Sequence, residues 1–353
     1  MVDHRVLVLP YASCVSDQMA QRLREYVEGG GTLVVNGRAG LLGEQGLIRA
    51  DRPLDDLLGV SSPAGMDAIT VETVSATVAL SGSIGEVALD LPEARFDLLE
   101  PGITATTGSA LAEVDGASLV VVNEVGEGRA ITLNFPLRPY NAARTEPGVK
   151  PMQEVLVAAV ESAGIHPPAT VTRADGSRPV CTQLVEFGTG PVRYLGLGQD
   201  ILALALDDQR LRVELPAPAV VYDVRAGERI GEGRVSEWEM TVGRGTPRIY
   251  ALLPYEVQSV SAEVPDTASP GATVSVSATV GATAQPATHV IRMNVYAPDT
   301  DRPHRQYSQN LLCVRGEGST DIPFALSDEA GEWRIEFTDV ASGFSTVRTL
   351  RLQ

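Results

Sequence analysis

The chain has 353 residues and a mass of 37.4 kDa, which is too long for one ordinary core and suits two or three domains. Its 28 basic and 45 acidic side chains give a net charge of −17, which disfavours nucleic acid and anionic membrane surfaces as partners. Apolar residues make up 44% of the chain, enough to exclude global disorder, and no run approaches the roughly 18 apolar residues of a membrane helix.

The first segment opens with a strand, a helix and a second strand. Residues 5–9 form an apolar run that a proline ends, and Ser16 occupies the position of a helix N-cap. Apolar residues then recur at helical spacing over residues 17–28, and three consecutive glycines end the run. Residues 32–35 follow as a second buried strand. A strand, a helix and a strand in so short a span predict a βαβ unit with parallel strands.

The remainder of the first segment adds strands and one helix. Alternating runs over residues 69–91 predict added β structure, and residues 118–123 and 128–134 predict a hairpin at the edge of the sheet. Apolar residues at helical spacing over residues 153–163 predict a closing helix. Two prolines after His166 cannot continue that helix, so the sequence predicts an α/β domain over residues 1–166.

The rest of the chain shows strand patterns only. Residues 169–257 alternate short β-type runs with turns, which predicts an antiparallel β-sandwich module. Residues 258–353 begin with a proline-containing linker and hold five strand-like runs, which approach the strand number of an immunoglobulin-like sandwich. We therefore expect a multidomain α/β and all-β protein, in which a parallel-sheet α/β domain is followed by two antiparallel β-sandwich domains.

Cysteine usage argues against covalent or metal cross-links. The three cysteines, Cys14, Cys181 and Cys313, are dispersed, and no Cys-x-x-Cys or Cys/His cluster occurs. We therefore predict neither a disulfide framework nor a metal site. Because dispersed cysteines suit a reducing compartment and the first residues do not resemble a secretory signal, the expected location is the cytoplasm.

Cys14 is the thiol placed where ligand sites of α/β sheets collect, between the first strand and the first helix. A nucleophilic thiol also needs a base, and none of the four histidines forms a motif that pairs it with Cys14. The histidines are His4, His166, His289 and His304. No Gly-x-Ser-x-Gly or Gly-x-Cys-x-Gly elbow occurs. Cys14 is therefore a weak candidate nucleophile, and an incidental small residue is the favoured interpretation.

Two polar clusters leave the predicted sheet. Arg38 lies in a glycine-rich turn over residues 36–40 that is neither a Gly-x-Gly-x-x-Gly nor a Walker loop, so no nucleotide cofactor is expected. Asn134, Arg138 and Tyr140 follow the predicted hairpin in a segment stiffened by two prolines. All four residues are candidates for ligand or interface contacts. For Arg138 and Tyr140 the interface role is favoured, because arginine and aromatic residues are enriched in interface anchors.

Two further patterns bear on carbohydrate chemistry. The acidic pairs at residues 55–56 and 207–208 are typical of solvated turns, whereas the two carboxylates of a glycosidase face each other across a cleft. The α/β segment is also too short to close a (β/α)₈ barrel. Aromatic residues of the β modules could stack on sugar rings, although core packing is the favoured interpretation. They are Trp238, Tyr222, Tyr250, Tyr255, Tyr296, Tyr307 and Trp333.

Several short sequence segments of the first 166 residues carry a family resemblance. They are residues 6–11, 16–17, 23–34, 37–38, 54–59 and 126–135. Together they resemble the trimerisation domain of the β-galactosidases in glycoside hydrolase family 42. The resemblance implies a flavodoxin-like fold akin to the class I glutamine amidotransferases. Residues 192–196, 221–227 and 251–255 likewise resemble the β-sandwich modules that follow that domain, so the resemblance covers about residues 1–257.

The resemblance implies subunit association rather than catalysis. In that family the catalytic glutamates lie on a barrel that precedes this domain, and the sequence contains neither that barrel nor an amidotransferase nucleophile elbow. We therefore expect a non-catalytic accessory protein of carbohydrate metabolism that forms a homo-oligomer, a trimer by resemblance, or that binds a separate barrel subunit. Two alternatives stay open: a hydrolase, either a glycosidase or a thiol-dependent amidase, and a carbohydrate-binding protein built on residues 169–353.

Overall fold

The computed structural model describes residues 4–63, 72–75, 84, 95–135, 150–188, 190–200 and 207–353. The chain divides into two compact units, Met1–Pro167 and Pro168–Gln353. The predicted domain bounds, residues 1–166, 169–257 and 258–353, stay predictions. Within the described residues, no helix is both long enough and apolar enough to cross a membrane.

A mixed five-stranded sheet organises the first unit. The strands of this unit are β1 (Val6–Pro10), β2 (Thr32–Asn36), β3 (Val60–Ser61), β4 (Glu72–Ser75), β5 (Arg95–Leu99), β6 (Thr104–Ala105), β7 (Ser109–Val114), β8 (Ala117–Val125) and β9 (Gly128–Leu133). The sheet has the order β1-β2-β9-β8-β7, and β1, β2 and β9 are parallel. β8 pairs antiparallel with both β9 and β7. The predicted βαβ unit with parallel strands is therefore confirmed.

The helices of the first unit are α1 (Asp17–Glu28), α2 (Asp55–Leu58) and α3 (Lys150–Glu161). α1 has the bounds that the sequence predicts. The Ser16 side chain accepts a hydrogen bond from the Met19 N–H, which satisfies one of the free amides at the helix start. Gly29 donates its N–H to the Glu25 carbonyl at the other end of the helix.

Both faces of this sheet are covered. Leu33 and Val35 of β2 belong to the same buried cluster as Leu23 of α1, whereas Val34 points to the opposite face and shares a cluster with Val155 of α3. Side chains alternate between faces along a strand, so an uninterrupted apolar run is the pattern expected of a strand buried on both sides. The unit is therefore an α/β layer structure.

The first unit differs from the prediction at the edge of its sheet, and part of the predicted β structure lies outside the described residues. The hairpin β8–β9 is present but does not edge the sheet, because the half-exposed strand β7 pairs along the outer side of β8. The β structure predicted over residues 69–91 lies mostly outside the described residues. Its described part is β4, which pairs antiparallel with β5.

The second unit is built from strands wherever the structure describes it. They are β10 (Thr170–Arg173), β11 (Thr182–Phe187), β12 (Arg193–Gln199), β13 (Gln209–Asp223), β14 (Glu228–Val242), β15 (Arg248–Leu253), β16 (Val257–Glu263), β17 (Thr267–Ala268), β18 (Thr273–Ala282), β19 (His289–Tyr296), β20 (Gln309–Cys313), β21 (Glu317–Pro323), β22 (Gly331–Asp339) and β23 (Ser345–Leu352). One sheet has the order β10-β13-β15-β12-β11, with β14 paired to β13. The others have the orders β16-β18-β21 and β17-β23-β22-β19-β20.

These sheets share their cores. One cluster fills one face of the six-stranded sheet and includes Leu195, Leu197 and Trp238. Another extends from Val192 to Leu352 and includes residues of all three sheets. An all-β second unit is therefore confirmed, whereas its division into modules at residues 257 and 258 stays a prediction.

Candidate functional site at the strand ends of the first unit

Polar residues gather where the parallel strands β2 and β9 end. Asn36 is the last residue of β2, and its side-chain amide donates to the Phe135 carbonyl just beyond β9. Gly37 and Arg38 then turn the chain with φ of 55° and 32°, in the left-handed region that favours glycine. Ligands of open α/β sheets bind at this edge, which makes it the place to look for a site.

Glu100 is the centre of this polar group. It follows β5 and is 1% exposed. The Arg38 N–H donates to Glu100 Oε1 at 2.8 Å, and Arg38 Nε lies 3.5 Å from the same oxygen. On the other side, Arg52 Nη2 lies 2.6 Å from Glu100 Oε2. The carboxylate is thus held between two guanidinium groups, an arrangement that compensates the cost of burying its charge.

Asn134 fixes the backbone on which Glu100 lies. Its Oδ1 accepts the Glu100 N–H at 3.1 Å, and its Nδ2 donates to the carbonyls of Glu100 and Ser118, both at 3.0 Å. Asn134 is itself buried. Its amide therefore provides hydrogen-bond partners for three backbone groups, which need them because they are buried.

A second carboxylate, that of Asp55 at the start of α2, lies at the same edge. Its two oxygens accept hydrogen bonds from the N–H and the hydroxyl of Ser62, at 3.0 and 2.9 Å. Burial raises the pKa of Asp55, the bonds from Ser62 and the charge of Arg52 oppose that rise, and the negative charge of Glu100 adds to it. Both carboxylates are therefore engaged by groups of the chain itself.

The cavity beside these residues is small. Arg38, Arg52, Asp55, Thr132 and Asn134 contribute to its lining, and its volume is about 20 Å³. That volume holds about one water molecule and no sugar ring. Within the described residues, buried Arg52 Nε and Thr132 Oγ1 have no hydrogen-bond partner, which fits a site for a single water. The carboxylates of Glu100 and Asp55 therefore lie beside a cavity that is too small for a sugar substrate.

The sequence prediction located this site only in part. Arg38 and Asn134 lie together at the strand ends, joined through Glu100. Arg138 and Tyr140 lie outside the described residues. Glu100 was not predicted, because its only signal in the sequence is a lone acidic residue between an apolar run and a Pro-Gly turn. Asp55 was predicted to be a solvated turn residue, whereas it is partly buried and accepts hydrogen bonds from Ser62.

Cys14 has an exposed thiol, and the chain around it forms a short bridge to Leu42. His4 precedes β1 whereas Cys14 follows it, so the five residues of that strand hold the two apart by roughly 16 Å. No described contact places a base on the Cys14 sulfur, and thiol-dependent catalysis gains no support from the structure. Among the residues placed by the structure, no group of three or more His, Cys, Asp or Glu side chains could hold a metal ion.

The aromatic residues proposed as sugar platforms are core residues. Trp238 packs edge-on against Tyr250, with their ring centroids 5.0 Å apart, and Trp333 lies among Phe324, Tyr307 and His304. All seven are buried, so the core-packing interpretation was correct and none of them offers a ring face to a ligand.

These observations define an α/β unit whose strand-end polar groups bind one another, followed by a β-sheet unit. Residues 1–145 match the family described as the beta-galactosidase trimerisation domain, which confirms the resemblance drawn from the sequence phrases. The matched residues include the whole five-stranded sheet of the first unit but not α3.

Solved structures of β-galactosidases are similar to part of this chain. The enzyme from Bacillus circulans sp. alkalophilus shares 18% identity with a TM-score of 0.48, over 70% of this chain and 33% of that one. A catalytic mutant of Gan42B, a family 42 β-galactosidase from G. stearothermophilus, shares 17% identity with a TM-score of 0.47, over 71% and 32%. The cold-adapted β-galactosidase from Rahnella sp. R3 shares 15% identity with a TM-score of 0.47, over 71% and 33%.

The chain therefore spans about a third of the length of these solved structures. A search of curated proteins gave no match.

Proposed function

We propose that this chain is a subunit-association part of a β-galactosidase-related system of carbohydrate metabolism, and that it holds copies together, as a trimer, without cleaving glycosides itself. The match of residues 1–145 to a β-galactosidase trimerisation domain carries this proposal. The alternative partner is a separate glycoside hydrolase barrel subunit, bound through the same domain.

The strand-end cluster supports a non-catalytic role. A glycosidase needs two carboxylates on opposite sides of the sugar. They are about 5 Å apart in a retaining enzyme and about 6.5–9.5 Å apart in an inverting enzyme, where a water must also fit. Here Glu100 is held by Arg38 and Arg52, and the adjoining cavity of about 20 Å³ holds no sugar. This edge of the sheet is accordingly a structural element in our proposal.

Exposed apolar side chains beside the start of α1 supply the proposed association surface. Leu47 is 68% exposed, Met19 44% and Ile48 38%. Arg49 holds their loop against the helix, since its guanidinium bonds to the Val15 carbonyl at 2.9 Å and lies 2.8 Å from an Asp17 carboxylate oxygen. Grouped apolar side chains on a surface mark sites of association.

The finer description of the fold is part of the same proposal. We assign the first unit to the flavodoxin-like class because helices cover both faces of a sheet with three parallel strands. We assign residues 258–353 to the immunoglobulin-like class because a three-stranded and a five-stranded sheet share one core there. The three free cysteines support a cytoplasmic location.

Light scattering on the intact chain and on a Leu47→Asp variant tests the association role. We expect the intact chain to have a mass near three times 37.4 kDa, and the variant to have a smaller mass because it places a charge in an apolar contact. The matched control is Leu326→Asp, which changes a leucine that is 85% exposed in the second unit. We expect this control to keep the mass of the intact chain.

Two results contradict the proposal. A monomer at high micromolar concentration, with no complex formed on adding a family 42 barrel subunit, removes the association role. Hydrolysis of a nitrophenyl galactoside by the purified chain, abolished by Glu100→Gln while the variant stays folded, places catalysis at the strand ends instead.

A further inference from the structure

An open depression lies on the six-stranded sheet of the second unit, over β11, β12 and β15. Its volume is about 480 Å³, within the range of small-ligand sites. Its floor is formed by Gly196 and Gly198 of β12, on the face opposite to the buried Leu195 and Leu197. We call this feature the glycine groove.

The two glycines are not required by the fold. Neither has a positive φ. A Cβ at Gly196 would meet Phe187 Cε1 at 3.6 Å, and one at Gly198 would meet Pro247 Cβ at 3.7 Å, which are ordinary contacts. Glycine weakens a strand relative to residues with side chains, and where packing does not demand it, it marks close approach by a ligand or another backbone. The packing of the fold therefore does not explain why both positions lack a side chain.

Apolar side chains wall the groove on two sides. Val185 and Ile249 flank Gly196 in the pairing register of the sheet. Phe187 stacks on Tyr194, with their ring centroids 5.4 Å apart and their planes 9° apart, yet Phe187 stays 47% exposed. An exposed ring beside an open floor offers apolar surface at a fixed orientation.

Polar side chains complete the lining. Gln183 brings an amide with donors and an acceptor, Asp200 a carboxylate that accepts, and Arg248 a guanidinium that donates. Arg248 also lies 3.6 Å from Asp223, so its charge is partly balanced within the chain. The groove thus combines a glycine floor and apolar walls with polar side chains of both charge signs.

We propose that the glycine groove binds a neutral pyranose ring, whose C–H face lies over Gly196 and against Phe187 while its hydroxyls bond to Gln183, Asp200 and Arg248. A sugar ring has one apolar face and a rim of groups that both donate and accept, which matches this lining. An aliphatic ligand would cover the Gln183 amide without offering it a hydrogen-bond partner. An anionic ligand would be repelled by Asp200 and by the net charge of −17.

This inference does not rest on the proposed association role, because the groove lies in the second unit and the association surface in the first. The groove also differs from the sugar platforms considered from the sequence. Those rings are buried, whereas Phe187 is exposed and was not singled out by composition or spacing.

Saturation-transfer difference NMR on the intact chain tests the groove, with methyl β-galactopyranoside, methyl β-glucopyranoside and methyl β-xylopyranoside as probes. We expect transfer to the ring C–H protons of at least one probe. The double variant Gly196→Ala, Gly198→Ala raises the floor, and Phe187→Ala removes the exposed ring. Phe187→Ala is expected to weaken binding of that probe by up to about tenfold, because a ring contact is worth at most about that factor. The double alanine variant is expected to weaken it as well, because the two added methyl groups occupy the space above the floor.

The control is Leu312→Ala, which truncates an apolar side chain of the second unit that is 64% exposed and does not line the groove. It is expected to bind the probe as the intact chain does. Absence of transfer to all three probes overturns the proposal, as does binding that survives both groove changes. A changed oligomer mass in the double alanine variant also overturns it, and assigns the groove to contact between subunits.

Discussion

The two units each bury a charged group, and the chain surrounds the two groups differently. In the first unit Glu100 lies between Arg38 and Arg52, beside a cavity large enough for one water. In the second unit Asp339 lies against His289, with Asp339 Oδ1 2.8 Å from Nδ1, and both side chains are fully buried.

The surroundings of Asp339 form a continuous chain of hydrogen bonds. Ser342 donates its N–H and its hydroxyl to the other carboxylate oxygen, at 3.0 and 2.5 Å. Tyr255 accepts the Ala287 N–H at 2.7 Å, so its own proton is free for His289 Nε2 at 2.9 Å. With the Tyr255 hydroxyl donating to Nε2, the Nδ1 N–H of His289 donates to Asp339.

A carboxylate, a histidine and a hydroxyl joined by hydrogen bonds do not by themselves make a catalytic site. The residues around Asp339 are as well aligned as a catalytic triad, but they join β19, the turn after β22 and the chain before β16 inside a closed core. The Glu100 cluster lies at the edge where α/β proteins bind ligands, and its charges are already paired. Both groups specify structure, the first through charge pairing and the second through a hydrogen-bond relay.

The largest expected effect is that of removing the charge of Glu100. Glu100→Gln keeps the shape but removes the negative charge that lies 2.6 Å from the buried Arg52 guanidinium, and loss of one partner of a buried ion pair costs about 3–5 kcal/mol. The helices that the structure describes all lie in the first unit, so the helical circular dichroism signal in urea measures the loss. Glu239→Gln, which breaks an exposed pair with Arg210, is the control and should leave the transition in place. Equal stability of the two variants would refute charge pairing at Glu100.

A somewhat smaller effect is expected at the relay. His289→Phe fills the space of the ring but leaves the Asp339 carboxylate without its Nδ1 donor and Tyr255 without its acceptor. An unsatisfied buried group of this kind costs about 2–3 kcal/mol. Trp238 and Trp333 both lie in the second unit, so tryptophan fluorescence follows its unfolding. A variant as stable as the parent chain would show that the relay contributes nothing to stability.

Cys313, which lies near Asp339, is expected to make the stability of the second unit depend on pH. Burial first, and the nearby charge of Asp339 second, raise the pKa of the Cys313 thiol to about 11. The folded state therefore favours the neutral thiol. The contribution of Cys313 to the free energy of unfolding is fully present below the ordinary cysteine pKa, and it is lost as the pH rises from about 9 through about 11. The loss is roughly 2–3 kcal/mol.

Urea unfolding of the intact chain and of Cys313→Ala across this pH range measures that contribution. The difference in stability between the two should shrink as the pH rises. A difference that stays constant would show that Cys313 does not titrate on unfolding in this range.

The smallest effect is expected at the cavity. Thr132→Val exchanges a hydroxyl that has no partner among the described residues for a methyl group of similar size. We expect a change of at most about 1 kcal/mol, because the lost hydroxyl makes no hydrogen bond to the described residues and apolar surface is gained. A loss above about 2 kcal/mol, seen by the same circular dichroism measurement, would mean that the hydroxyl is part of the Glu100 cluster.

The parts of the fold that the sequence predicted are those encoded locally. α1 has its predicted bounds because Ser16 caps it and its apolar spacing is intact within 12 residues. The strand β7 was missed because it is half exposed at the edge, where tertiary pairing rather than apolar content determines the strand. The Glu100 cluster was missed because its partners, Arg38 and Asn134, lie 62 and 34 residues away. No periodicity connects such positions, and only the order of strands brings them together.

Hydrogen–deuterium exchange of the intact chain, compared at low and high micromolar concentration, tests the central claim most directly. If the first unit holds copies together, amides over residues 43–49 and in the first turn of α1 will become protected as concentration rises, while the strand-end residues around Glu100 stay protected at both concentrations. Exchange that does not depend on concentration, or new protection confined to Pro168–Gln353, would contradict the claim.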